Sequence, residues 1–230
     1  MRDFFREGNL LRGLRLALMA TLATALYLAY DYHVVHREFV EEHLGTADLS
    51  ERFGLDVLGV FAALFISATA GFAWARGERL VGFGSWRRVK RDLVPIVLIG
   101  AALAALTLFV LEPLLYKPLL TEERNPFQPL QGAFFEEVIC RWGIFAIAFR
   151  LSRSIRAAVL MSAAFNVVVG LKFLRLFGEG VPAWQLAAII AVKLVLATGY
   201  ALFYVRKGLL STMGLRFVAA LPAPILAVMN

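Results

Sequence analysis

The sequence predicts an all-α fold: a polytopic transmembrane helix bundle of about seven spans, forming a single integral membrane domain over residues 1–230. Three observations predict it. The chain is 60% hydrophobic, with a mean hydropathy of +0.72, whereas a soluble domain is about 45–50% apolar. The excess is spread over seven runs, each close to the roughly 20 residues that cross a hydrocarbon core of about 30 Å. The basic residues gather at alternate ends of those runs, as the positive-inside rule requires.

The runs lie near 10–30, 55–75, 93–115, 130–149, 157–177, 183–205 and 209–228. The first has a basic start, as a secretory signal does, but its apolar stretch exceeds the usual 7–15 residues and lacks a clear small-residue cleavage site. It reads as an uncleaved anchor. The loop before the second run, DYHVVHREFVEEHLG, holds all three histidines, His33, His36 and His43. Their spacing matches no zinc signature, so we expect a solvated amphipathic loop helix and no metal.

The connection before the third run, RGERLVGFGSWRRVKRDL, is basic, with Trp86 and Arg87 suited to lipid headgroups. The connection before the fourth has prolines at 113, 118, 126 and 129 and reads as an irregular loop. Cys140 is the only cysteine, which excludes an internal disulfide; on an apolar helix it reads as a packed thiol.

Net charge is +7, which in a soluble chain would suggest a nucleic-acid partner. The placement of the charges excludes that reading. The N-terminal tail and the second, fourth and sixth connections together hold fifteen Lys and Arg; the first, third and fifth connections hold six. The N-terminus is therefore expected in the cytoplasm and the C-terminus outside. The setting is a plasma membrane, bacterial or archaeal, with lipids as the surroundings.

Five ionisable groups fall inside the runs: Glu136, Glu137, Arg141, Lys193 and Arg216. Such residues are costly in lipid and usually face a bundle interior, paired with one another. Glu137 and Arg141 are four apart and share a helix face. Glu136 is turned away from that face, toward a neighbouring helix. Helix rise places Glu136, Lys193 and Arg216 within overlapping depths, so one polar cluster is expected. Arg216 in particular is expected within ion-pair reach of a glutamate. Such a cluster is either a structural network fixing helix register or a carboxylate poised to activate water.

The stretch FFEEVICRWGIF resembles the opening motif E-E-x-x-x-R of the CPBP family, the CAAX prenyl protease and bacteriocin-processing intramembrane glutamate proteases. The resemblance extends over most of the chain from about residue 75. It includes the basic link RLVGFGSWRRVKRDL and the late block IAVKLVLATGYALFYVRKGLLSTMGLRF. It implies a CPBP-like core and a metal-independent, cofactor-free glutamate-type endopeptidase. Glu136 would be the base, with Glu137 and Arg141 orienting it.

The later motifs depart from the family pattern. In F-x-x-x-H the phenylalanine is Phe165, but Val169 stands where a histidine belongs. In H-x-x-x-N the positions are Arg216 and Ala220. Val169 has no polar group, and Arg216 donates but cannot serve as a base. Loss of one oxyanion donor typically costs about 10²–10³ in rate. Asn166, one turn from Val169 on the same face, is the residue that could offer a replacement donor, together with Arg216 or Lys193.

Three functions follow as expectations. The first is an endopeptidase with a degenerate site, acting on a peptide or membrane-protein substrate. The second is a non-catalytic, chaperone-like relative that holds a partner's helix or lipidated tail. The third is a small transporter, which the lack of an inverted repeat disfavours.

Overall fold

The computed structural model describes residues 4–32, 37–75, 80, 82–116, 125–173 and 182–222. Side chains are described for all of these except 37–50, 112, 116 and 170–173. The regular elements are helical: α1 (Glu7–Tyr30), α2 (Arg37–Trp74), α3 (Trp86–Arg91), α4 (Leu93–Leu106) running on as π1 (Thr107–Tyr116), α5 (Gln128–Gln131) running through π2 (Gly132–Ile144) into α6 (Phe145–Ser152), α7 (Ile155–Phe173), α8 (Ala183–Lys207) and α9 (Leu209–Ala220). Counting each continuous rod once, the described residues form eight helices.

Among the described residues, four helices are long and apolar enough to cross a membrane: Glu7–Tyr30, Glu51–Trp74, Leu93–Leu115 and Ala183–Lys207. The chain is thus all-α and an integral membrane protein. The expectation of about seven such spans is met only in part. Ile155–Val169 and Leu209–Ala220 are shorter apolar helices, and the ends of the expected runs 157–177 and 209–228 lie outside the described residues. The rod over 130–149 carries Glu136, Glu137 and Arg141 and is correspondingly less apolar.

The expected loop helix before the second span is the start of α2 itself, which runs unbroken for 38 residues. The sequence 37–54 holds good helix formers and no proline, so nothing stops the helix at the membrane boundary. His33 and His36, and the side chain of His43, lie outside the described residues.

The core forms where small residues let helices approach closely. Gly13, Ala17 and Ala20 of α1 are buried against α2, and a Cβ on Gly13 would collide with Thr69. On the other face of α2, a Cβ on Gly71 would collide with the Trp142 ring, and one on Gly143 would strike Ser67. Without a hydrophobic drive between helices in lipid, such close packing is the main source of association. Trp142 donates to the Ala68 carbonyl at 3.1 Å and meets Phe72 edge-on at 5.2 Å. These contacts fix π2 firmly against α2.

The connections sort into two ends. At one end, Phe4 meets Trp74 at 5.5 Å, and Lys207 bonds Asp92 at 2.9 Å. There the backbone N–H groups of Leu209 and Leu210 donate to the carbonyls of Gly82 and Phe83. Gly208, at φ 88°, makes the sharp turn from α8 to α9 in a region that strains other residues. At the opposite end, Asn125 Nδ2 donates to the Tyr27 carbonyl and Gln185 Nε2 to the Leu115 carbonyl, both at 2.8 Å. The described part of the basic connection before the third run, from 82 onward, thus meets the turn at 207–210.

Candidate functional site

The rod that carries the glutamates is started by local signals. Asn125 accepts from the Phe127 N–H at 2.9 Å, and Pro129 sits in the first helical turn. From Gly132 the helix widens to i→i+5 bonding for 13 residues before returning to α geometry at Phe145. Such π segments are rare, mostly single-turn, and frequent at functional sites. The widened turn matters for the chemistry. It stacks residues four and five apart on one face, so Arg141 lies beneath both Glu136 and Glu137.

The two glutamates have different surroundings. Glu137 is fully buried, and its Oε1 lies 3.5 Å from Arg141 Nη1, itself 1% exposed. Neither Glu137 oxygen has a hydrogen bond of good geometry, and the same holds for Arg141 Nε and Nη1. The pair is held by charge in a dry interior. Glu136 retains 17% of its side-chain exposure and turns to the neighbouring helices. Arg216 Nη2 of α9 donates to Glu136 Oε2 at 2.7 Å, and Asn166 Nδ2 of α7 donates to the same oxygen at 3.3 Å. Both contacts fall on Oε2.

The structure thus brings together the site residues singled out in the sequence: Glu136, Glu137, Arg141, Asn166 and Arg216. The ion pair expected for Arg216 is present. Asn166 also lies 3.6 Å from the Cys140 sulfur, which is buried one helical turn beyond Glu136. Lys193 on α8 stands close enough for its charge to act on Glu136 and Arg216. Val169 is partly buried and packs against the hydrophobic core. Ala220 is the last residue of α9.

Sequence reasoning missed Tyr200. Its ring lies between the two arginines, 5.6 Å from the Arg141 carbon Cζ and 5.3 Å from that of Arg216. It is 4% exposed and belongs to the buried stripe of α8. A guanidinium over an aromatic face is attracted by the ring quadrupole, more strongly where water is excluded. The available signal was the seven-residue spacing from Lys193, which puts both on one helix face. Gly132 was missed as well. A Cβ there would stand 3.3 Å from Arg216 Nε, so the bare glycine leaves room for the guanidinium.

Among the described residues, no group of three or more His, Cys, Asp or Glu side chains is arranged to hold a metal ion. What the cluster offers is one partly accessible carboxylate, three cations and one amide donor. No protein-family model, no curated protein and no solved structure matches this chain.

Proposed function

We propose that the protein is an intramembrane endopeptidase with a degenerate glutamate site, related to the CPBP proteases. The observation that carries this reading is the convergence of Asn166 and Arg216 on Oε2 of Glu136. Two hydrogen-bond donors stand at one carboxylate, although neither is a histidine. The intact pattern Glu136, Glu137 and Arg141 adds to it.

In this reading Glu136 is the base. Its Oε1, which neither contact occupies, takes a proton from water as the water oxygen bonds to the peptide carbonyl carbon. Negative charge then develops on the carbonyl oxygen. Protonation neutralises Glu136, so Arg216 loses its ion-pair partner at the moment an oxyanion appears nearby. Arg216, with Asn166, stabilises that oxyanion, the kind of preorganised interaction that contributes most in a dry site. The C–N bond then breaks as Glu136 returns its proton to the leaving amine. Glu137 and Arg141 touch no substrate here; they hold the π segment and the position of Glu136.

The bundle spans the membrane about seven times in this reading, with a CPBP-like core. Its N-terminus is cytoplasmic, its C-terminus external, and the host membrane is bacterial or archaeal. The short helices α7 and α9 and the rod 130–149 complete the count. Peptides or membrane proteins are the substrates.

A second reading rests on one specific distance. The 2.7 Å ion pair engages Glu136 with a permanent positive charge, and a carboxylate engaged in this way ties two helices together whether or not water reaches it. A non-catalytic relative, which uses the cluster to clamp helices and holds a partner's helix, would keep that pair closed. Incubation of the reconstituted protein with a library of apolar peptides, followed by mass analysis of products, separates the two. The endopeptidase reading predicts internal cleavage. No product from any peptide would leave the clamp.

A further inference from the structure

The stripe of α8 that faces the bundle runs through Gln185, Ile189, Ala197, Tyr200, Ala201 and Tyr204, all buried. Lys193 lies four residues after Ile189 and four before Ala197, so it sits on that same stripe. The same face carries Tyr200, seven residues on, whose ring meets both arginines, and the Lys193 charge acts on Glu136 and Arg216.

The cluster's charges do not balance. Glu137 is engaged by Arg141 and Glu136 by Arg216. Among the described residues the other buried carboxylate, Asp92, is engaged by Lys207 at the far end of α8. Among the described side chains, Lys193 has no carboxylate within ion-pair distance. One positive charge is left over in a setting where an unpaired charge is costly. An arriving carboxylate relieves that cost, and an arriving amide does not.

We infer that Lys193 is a receptor for a carboxylate carried by the bound peptide, next to the bond attacked by the water that Glu136 activates. The inference deepens the endopeptidase reading and rests on it for the choice of a peptide as ligand. Two sources supply the same chemistry: an Asp or Glu side chain, and a free C-terminus.

The test uses the full chain in nanodiscs of zwitterionic lipid, with Glu136→Gln and Arg216→Gln together, so that binding is read without turnover and Arg216 is not freed as a second carboxylate receptor. Three fluorescent nine-residue Leu/Ala peptides serve as probes. One has a central Asp and blocked ends, one a central Asn and blocked ends, and one a central Asn and a free C-terminus. We expect at least one carboxylate peptide to bind about tenfold or more tighter than the blocked Asn peptide, equivalent to about 1.4 kcal/mol. Which of the two does so identifies the source. Lys193→Met should abolish the preference and Lys193→Arg should keep it. Equal affinity for all three peptides, or a preference that survives Lys193→Met, overturns the inference. If Lys193→Met folds poorly, Lys193→Gln, which keeps a polar side chain without the charge, should show the same loss of preference. Cleavage by the unsubstituted protein is scored separately. A preference without cleavage removes the endopeptidase and keeps the carboxylate site; cleavage without a preference does the reverse.

Discussion

Arg216 on α9 reaches across to Glu136 on π2, 80 residues earlier in the chain, and donates to its carboxylate at 2.7 Å. This contact joins two helices that would otherwise meet through Gly132 and apolar side chains. A charge-assisted hydrogen bond contributes about 1.5–3 kcal/mol, and here both partners retain some exposure, which places the value toward the lower end. A double-mutant cycle of Glu136→Gln and Arg216→Gln, read by thermal unfolding in detergent, should return a coupling of about 1–2 kcal/mol. A coupling near zero would mean that the pair does not hold in the membrane protein.

The Glu137–Arg141 pair should behave differently, because both partners are buried. Breaking such a pair from one side leaves an uncompensated charge and costs about 3–5 kcal/mol. Glu137→Ala and Arg141→Ala should each express poorly or melt much lower than the parent. The double substitution Glu137→Leu with Arg141→Met should recover much of the loss. Single substitutions with parental melting temperatures would contradict this assignment.

The glycines of α2 offer a matched comparison. Gly71 packs under the Trp142 indole, whereas a Cβ on Gly59 would have nothing within 4 Å. Gly→Ala gains helix propensity at both sites, by up to about 1 kcal/mol. Gly59→Ala should therefore be neutral or mildly stabilising, and Gly71→Ala destabilising by about 1–3 kcal/mol through overpacking. Thermal melts of the two variants give the sign directly.

Tyr200 should act chiefly through its ring, with its hydroxyl beside Arg216 adding a smaller part. Tyr200→Phe keeps the π-face toward Arg141 and Arg216 and should cost less than Tyr200→Leu. Tyr200→Leu removes both contacts and should cost about 1–3 kcal/mol, at roughly 0.5–2 for each desolvated cation–π pair. Equal melting temperatures for the Phe and Leu variants would remove the ring from the account.

Much of the site was legible because charge inside an apolar run is rare and each such residue must find a partner. That constraint alone brought Glu136, Glu137, Arg141 and Arg216 together from the sequence. Asn166 followed from helical spacing to Val169. Tyr200 and Gly132 were not legible, since a tyrosine or glycine in a membrane helix has many ordinary uses. Their importance lies in where α8 and α9 cross π2. The π winding of 132–144 was equally hidden, because apolar periodicity does not distinguish a widened helix from an α-helix over three turns. The span count was only partly legible for a related reason. Run length alone does not establish that a helix crosses a bilayer, and the end of the run 209–228 lies outside the described residues.

The most direct test of the central claim is the rate of internal cleavage of an apolar peptide by the reconstituted protein, compared between the parent, Glu136→Gln and Glu137→Gln. Glu136 is assigned to the chemistry and Glu137 to the fold. Glu136→Gln should stay folded and lower the rate by at least about 10²-fold, the lower range for removal of a positioned proton-transfer group. Glu137→Gln should lose rate together with thermal stability. Cleavage by Glu136→Gln at the parental rate would contradict the assignment of Glu136.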